Sequence, residues 1–96
     1  MREITRRAFE AFRQNCSKKI SNTQICVDAQ TTTLQLHGNA IARKNRESGT
    51  VEICTGGWDT PTTKERLRPF AHAYHVKGEL FLNGESWDGG WIAIDA

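Results

Sequence analysis

Apolar residues near the start of the chain recur at helical spacing. At about 100° per residue, Ile4, Ala8, Phe9, Ala11 and Phe12 gather on one arc, and Arg2, Arg6 and Arg13 project within about 40° of one another on its flank. The pattern predicts an amphipathic helix over residues 3–15, with an apolar face for a sheet and a basic stripe beside it. Asn15-Cys16-Ser17-Lys18-Lys19 ends the helix, and Ser21-Asn22 is turn chemistry. From Ile25 the period changes to two. Ile25 and Val27, Leu34 and Leu36, Ile41, and Val51 and Ile53 alternate with polar neighbours, as half-buried strands do. The β-branched run Thr31-Thr32-Thr33 favours the same geometry. His37-Gly38-Asn39 predicts a hairpin of Thr32–Leu36 with Ala40–Lys44, Gly and Asn supplying positive φ. Asn45 to Gly49 makes a second, more charged connection. The first half of the chain is thus expected to be a helix followed by an antiparallel meander, one face of which lies under the helix.

Gly56-Gly57-Trp58-Asp59-Thr60-Pro61 leaves the meander as a loop. Thr62 and Glu65 have capping-box spacing, so a short capped helical turn is expected near residues 63–68, stopped by Pro69. Three short strands come after it at His72–Val76, Glu79–Leu82 and Trp91–Ile94, joined through Lys77-Gly78 and the Gly-rich stretch 83–90. With no internal repeat and no low-complexity linker, residues 1–96 read as a single α+β domain: an N-terminal amphipathic helix packed on an antiparallel β-sheet.

Charge changes this picture more than composition does. The net charge is only +2, but residues 1–46 hold nine bases against three acids, and residues 47–96 hold four bases against eight acids. Such asymmetry points toward a polyanion or an acidic protein surface as partner, or to two ends that face each other in the fold. The candidate phosphate contacts are Arg2, Arg6 and Arg13 on the helix, with Lys18, Lys19, Arg43, Lys44 and Arg46. A second group, Lys64, Arg66 and Arg68, lies on the capped turn. Trp87-Asp88-Gly89-Gly90-Trp91 places two indoles around a tight turn. There Trp87 and Trp91 either stack on bases or plug the end of the sheet with their N–H groups on carbonyls.

Catalytic equipment is thin. His72 and His75 stand three apart in a strand and so point to opposite faces, and no close ligand pair joins them or Cys54 into a zinc site. Gly56-Gly57 lacks the Lys and Ser/Thr of a phosphate loop, and no serine nucleophile elbow is present. The carboxylates Asp59, Glu85, Asp88 and Asp95 sit in or beside turns, where such residues bond their own backbone. The expectation is a binding protein, not an enzyme, with no metal and no cofactor. Three cysteines (Cys16, Cys26 and Cys54) without Cys-x-x-Cys spacing fit reduced thiols in a cytoplasm. No apolar run nears the roughly 20 residues of a membrane span, so neither secretion nor membrane insertion is expected.

Three stretches carry a resemblance. They are Leu36-His37-Gly38-Asn39-Ala40-Ile41-Ala42, Gly57-Trp58-Asp59-Thr60-Pro61-Thr62-Thr63-Lys64-Glu65-Arg66-Leu67 and Leu82-Asn83-Gly84-Glu85-Ser86-Trp87-Asp88-Gly89-Gly90-Trp91-Ile92. In order and spacing they resemble a family of small proteins encoded by tailed bacteriophages, over about Thr23 to Ile94. Arg68-Pro69 departs from the family pattern, which continues with Asn after Arg-Leu, and the basic N-terminal helix lies outside the best-matching region. The resemblance implies a phage origin and action in the host bacterial cytoplasm, and supplies no catalytic residue. By analogy with other small phage proteins it implies an inhibitor of a host defence complex, and most concretely an anti-CRISPR protein. The partner would then be a CRISPR effector ribonucleoprotein, its backbone subunits and guide RNA, blocked through a basic surface. The alternative is a general single-stranded nucleic-acid-binding accessory protein of a phage.

Overall fold

The computed structural model describes residues 2–58 and 60–94. Helix α1 spans Glu3–Arg13 and leads into five strands: β1 (Lys18–Ile20), β2 (Thr23–Val27), β3 (Thr31–Leu36), β4 (Asn39–Asn45) and β5 (Val51–Ile53). Helix α2 (Pro61–Leu67) is followed by β6 (Ala73–Val76), β7 (Glu79–Leu82), β8 (Glu85–Ser86) and β9 (Ile92–Ile94). The fold is α+β, with the N-terminal helix packed on an antiparallel sheet, as expected.

Six strands form the main sheet in the order β1-β2-β3-β4-β5-β9, and β6-β7-β8 form a separate three-stranded sheet. The first five run as a meander. Strand β9 then returns from the end of the chain to pair with β5, Ile53 opposite Ile92 and Val51 opposite Ile94. The three late strands expected from the sequence therefore divide: β6 and β7 leave for the small sheet, and β9 completes the large one. Strands β1 and β8 have no counterpart in the sequence pattern. Each is three residues or fewer and largely exposed, so neither shows an apolar alternation.

Directly opposed residues share a face of a sheet, which sorts the strands. Thr32, Leu34 and Leu36 on β3 stand with Ile25, Ala42, Val51 and Ile53 on the buried face. Against it lie Ala8, Ala11 and Phe12 of α1 and Leu67 of α2. The small sheet adds Leu80 and Leu82, and Trp87 joins the same core. The open face of the large sheet carries Gln24, Thr33, Arg43 and Glu52.

Two turns fix the placement of β4 and β9. The hairpin loop between β3 and β4 is two residues long, and its positive φ values fall on His37 (52°) and Gly38 (81°). Asn39 already belongs to β4, so His37 rather than Asn39 takes the strained position of this tight turn. Near β9, the Thr55 amide donates to the Gly89 carbonyl at 2.9 Å. A Cβ on Gly89 would lie 2.7 Å from Thr55 Oγ1, and the residue's φ is 85°, so this approach admits only glycine.

The helix after the loop starts earlier than its capping-box spacing suggests. Thr60, not Thr62, is the N-cap: its hydroxyl accepts from the Thr63 amide at 3.2 Å, and Pro61 takes the first helical position. Glu65 is drawn into tertiary contacts instead. No helix among the described residues is long and apolar enough to cross a membrane.

Candidate functional site

The fold divides the predicted cations into three kinds. The first faces inward. Arg66 is only 2% exposed. Its Nε donates to Thr23 Oγ1 at 2.9 Å, Nη1 to Thr5 Oγ1 at 3.1 Å and Nη2 to Asn22 Oδ1 at 3.5 Å. Thr5 Oγ1 in turn donates to Glu65 Oε1 at 3.0 Å, and the Arg2 amide donates to the same oxygen at 2.8 Å. Arg66 thus ties α1, α2 and the β1–β2 turn together, and its expected place among the surface contacts is corrected. Thr63, Arg66 and Leu67, spaced i, i+3 and i+4, are the buried face of α2.

The second kind is engaged on the surface. Arg6 pairs with Glu3, Arg68 with Glu65 at 3.7 Å and Lys64 Nζ with His75 Nδ1 at 2.7 Å. Arg43 pairs with Glu52 at 2.9 Å, and its guanidinium lies 3.9 Å from the ring centre of Trp91. Trp91 is 38% exposed, whereas Trp87 is 8% exposed and donates from Nε1 to the Gly90 carbonyl at 3.0 Å. Trp87 is therefore a plug of the core and not an aromatic contact. Lys18 stands opposite Ile25 and Lys19 opposite Gln24, so the two lysines project to opposite faces of β1.

The third kind converges. Lys44 Nζ donates to the carbonyls of Phe12 (3.2 Å) and Arg13 (3.3 Å), which places a cation at the negative C-terminal end of the α1 dipole. Arg13 and Arg46 lie close enough to act on it. Burial, then the charges of Arg46 and Arg13, hold the Lys44 ammonium below its ordinary pKa. Arg46 itself donates to Thr32 Oγ1 at 3.2 Å and to the Asp28 carbonyl. Arg13 makes a loose ion pair with Glu10 at 3.6 Å. The end of β4, Arg46 just beyond it and the end of α1 so build one cationic corner, Arg13–Lys44–Arg46. Arg6, and Arg2 at the helix start, continue the exposed basic flank of α1 away from it.

Two features escape the sequence reading. A groove of about 290 Å³ opens beside the corner, lined by residues of α1, β5 and β9 and by Pro69 and Phe70. A cleft of about 420 Å³ forms where the β3–β4 turn meets the start of α2, between Leu36, His37, Asn39, Thr55, Trp58 and Thr60. Trp58 is 64% exposed there. The conspicuous motifs of the chain thus meet around Thr55: the Leu-His-Gly-Asn turn and the Gly-Trp loop line the cleft, and the Gly89 turn packs behind it. Asp59 and Asp95 lie outside the described residues. The thiol of Cys54 is buried, which raises its pKa, while Cys16 is exposed. Among the described residues, no three His, Cys, Asp or Glu side chains gather as a metal site.

The family model of the Kyanoviridae Gp96 protein matches residues 1–91. The match takes in α1, so the basic helix is part of the family's shared chain and not an addition by this member. No curated protein and no solved structure matches.

Proposed function

The chain belongs to the Kyanoviridae Gp96 family of phage proteins, and from that premise we propose that it is a stoichiometric inhibitor of a host defence complex. In its most concrete form it is an anti-CRISPR protein that binds an effector ribonucleoprotein in the host cytoplasm and denies it guide RNA or target DNA. The observation that carries this reading is the Arg13–Lys44–Arg46 corner, where three cations crowd the end of α1 and the nearby carboxylates are a loose Glu10 on Arg13 and Asp28 by Arg46. An anion from a partner relieves that repulsion, and Arg2 and Arg6 extend the contact along α1. The mechanism needs occupancy alone: a small rigid domain seated where the nucleic acid would lie excludes it by volume.

The test is a pull-down of tagged protein from lysate of a cyanobacterial host, with and without nuclease. Recovery of one multisubunit complex that survives nuclease, and is lost when Arg13 and Arg46 are changed to Glu, is the expected result. Undiminished interference in cells expressing the protein, across effector types, overturns it.

A second reading, a single-stranded nucleic-acid binder, has its own observation. The rings of Tyr74 and Phe81 stack at 5.6 Å on the small sheet, His72 lies 4.7 Å from Tyr74, and Lys64 and Arg68 line the same surface depression. Aromatic faces beside cations are what a splayed strand requires. This reading expects oligonucleotide binding that weakens with salt, with a log–log slope of about −0.7 per phosphate neutralised. No binding to a 15-nucleotide oligo(dT) at low salt removes it.

A further inference from the structure

The groove beside the cationic corner shares Arg13 and Lys44 with it, and its remaining walls specify a different ligand. Phe70 meets Phe9 and Phe12 edge-on, both at 5.1 Å, which fixes three rings against one another. Val51 and Ile94 add aliphatic surface, and Arg13 and Lys44 complete the lining. No carboxylate lines the groove among the described residues.

The available volume, about 290 Å³, equals roughly ten waters. It falls at the lower limit of small-molecule sites and suits one large side chain. A nucleobase is a poor occupant, because two of the rings already carry cations and the third stands across them. The Arg13 guanidinium lies 5.8 Å from the centre of Phe9 and the Lys44 ammonium 5.3 Å from the centre of Phe12. Phe70 stands perpendicular to both rings, so the three form no flat platform for base stacking. The cations ask for a different group. An ammonium carries three donors, and two of Lys44's go to the carbonyls of Phe12 and Arg13. The third, with the exposed Arg13 beside it, is placed for an oxygen anion next to an apolar surface.

We propose that this groove docks a protein segment in which a large apolar side chain stands next to an acidic residue. The apolar chain fills the space between Phe9, Phe70, Val51 and Ile94, and the carboxylate bridges Arg13 and Lys44. The mode is that of an anchor side chain in a preformed pocket with a charge-assisted clamp. It goes beyond the inhibitor reading and does not rest on it, since any partner that displays such a segment qualifies.

The experiment is fluorescence anisotropy with a fluorescein-labelled nonapeptide, Gly-Ser-Glu-Asp-Phe-Glu-Leu-Ser-Gly, on the full chain. Peptides with the acids changed to Lys or the Phe to Ala serve as controls, as does labelled oligo(dT). Binding of the acidic peptide alone is expected, with methyl NMR shifts at Val51 and Ile94. Arg13→Glu, an exposed substitution that leaves the core untouched, should weaken it by about tenfold or more; Lys77→Glu, on the small sheet, should leave it unchanged. No binding by millimolar peptide overturns the proposal, as do shifts confined to other residues or equal binding of all three peptides. Nuclease-resistant capture of a host complex that is lost when Arg13 and Arg46 are changed to Glu, without peptide binding, assigns the corner to the inhibitor contact, overturning this proposal and leaving the inhibitor reading intact.

Discussion

Arg66 and Arg13 carry the same guanidinium on the two helices, and the fold puts them to opposite uses. Arg66 lies among hydroxyls and an amide, with all its named partners inside the molecule. Arg13 stands in solvent beside two other cations and a single loose carboxylate. A cation with satisfied donors in the interior is committed to structure, because its removal strands the groups it served. A cation crowded by its own kind is poised for a ligand. Net charge, and even charge by segment, does not separate the two. Contact geometry does.

The comparison is broken most forcefully at Arg66. Changing Arg66→Ala leaves Thr5 and Thr23 without their donor and opens a cavity, so a loss of about 3 kcal/mol is expected. At this chain length that is roughly 15 °C in Tm by thermal denaturation. Arg66→Met, which keeps the volume, should recover part of the loss. A change under about 0.5 kcal/mol for Arg66→Ala would place the residue with the surface cations.

Lys44 sits between the two classes, since it caps the end of α1 and also faces the groove. Its replacement by Met should cost about 1 kcal/mol by urea denaturation, through the lost contact with the helix carbonyls. No cost at all would make it purely a ligand group.

The smallest effect is a pH dependence at Glu65. The Arg2 amide, and after it the Thr5 hydroxyl, hold this carboxyl below its ordinary value of 4.5. A depressed folded-state pKa means that the contribution to stability is present above 4.5 and is lost as pH falls through and below it. Stability profiles between pH 6 and about 3 should therefore flatten in Glu65→Gln relative to the parent. Equal slopes would detach Glu65 from the Arg66 network.

Legibility in the sequence divides along the same line, between local and distant causes. Strands β2, β3 and β5 were legible because apolar residues alternate along them, and the β3–β4 hairpin because His37-Gly38-Asn39 declares a turn locally, although the loop is one residue shorter than that signal. Strand β9 was legible as a strand, but not its partner. Its pairing with β5 depends on Thr55 meeting Gly89, which no local pattern shows. At α2 two local signals competed. Thr60-Pro61 won over Thr62 and Glu65 because Glu65 had a better use against Arg2 and Thr5. The role of Arg66 had a signal, its i+3 spacing from Thr63 beside Leu67, yet an arginine on a helix reads as a surface residue. The groove could not be read at all. It is made by Phe9, Val51, Phe70 and Ile94, four residues that only the folded chain brings together.

The large sheet is open, so it has two rims where backbone donors and acceptors can recruit another chain. At one rim, β1 is short and displays Lys18 and Lys19 on either side. Like charges there would oppose one another if two molecules met edge to edge. At the other, β9 offers Ala93 and a 39% exposed Ile92, and Asn83 and Glu85 line a depression beside them. The two rims thus carry different chemistry toward an incoming strand: lysines on both faces at β1, and at β9 an aliphatic surface with a carboxylate beside it.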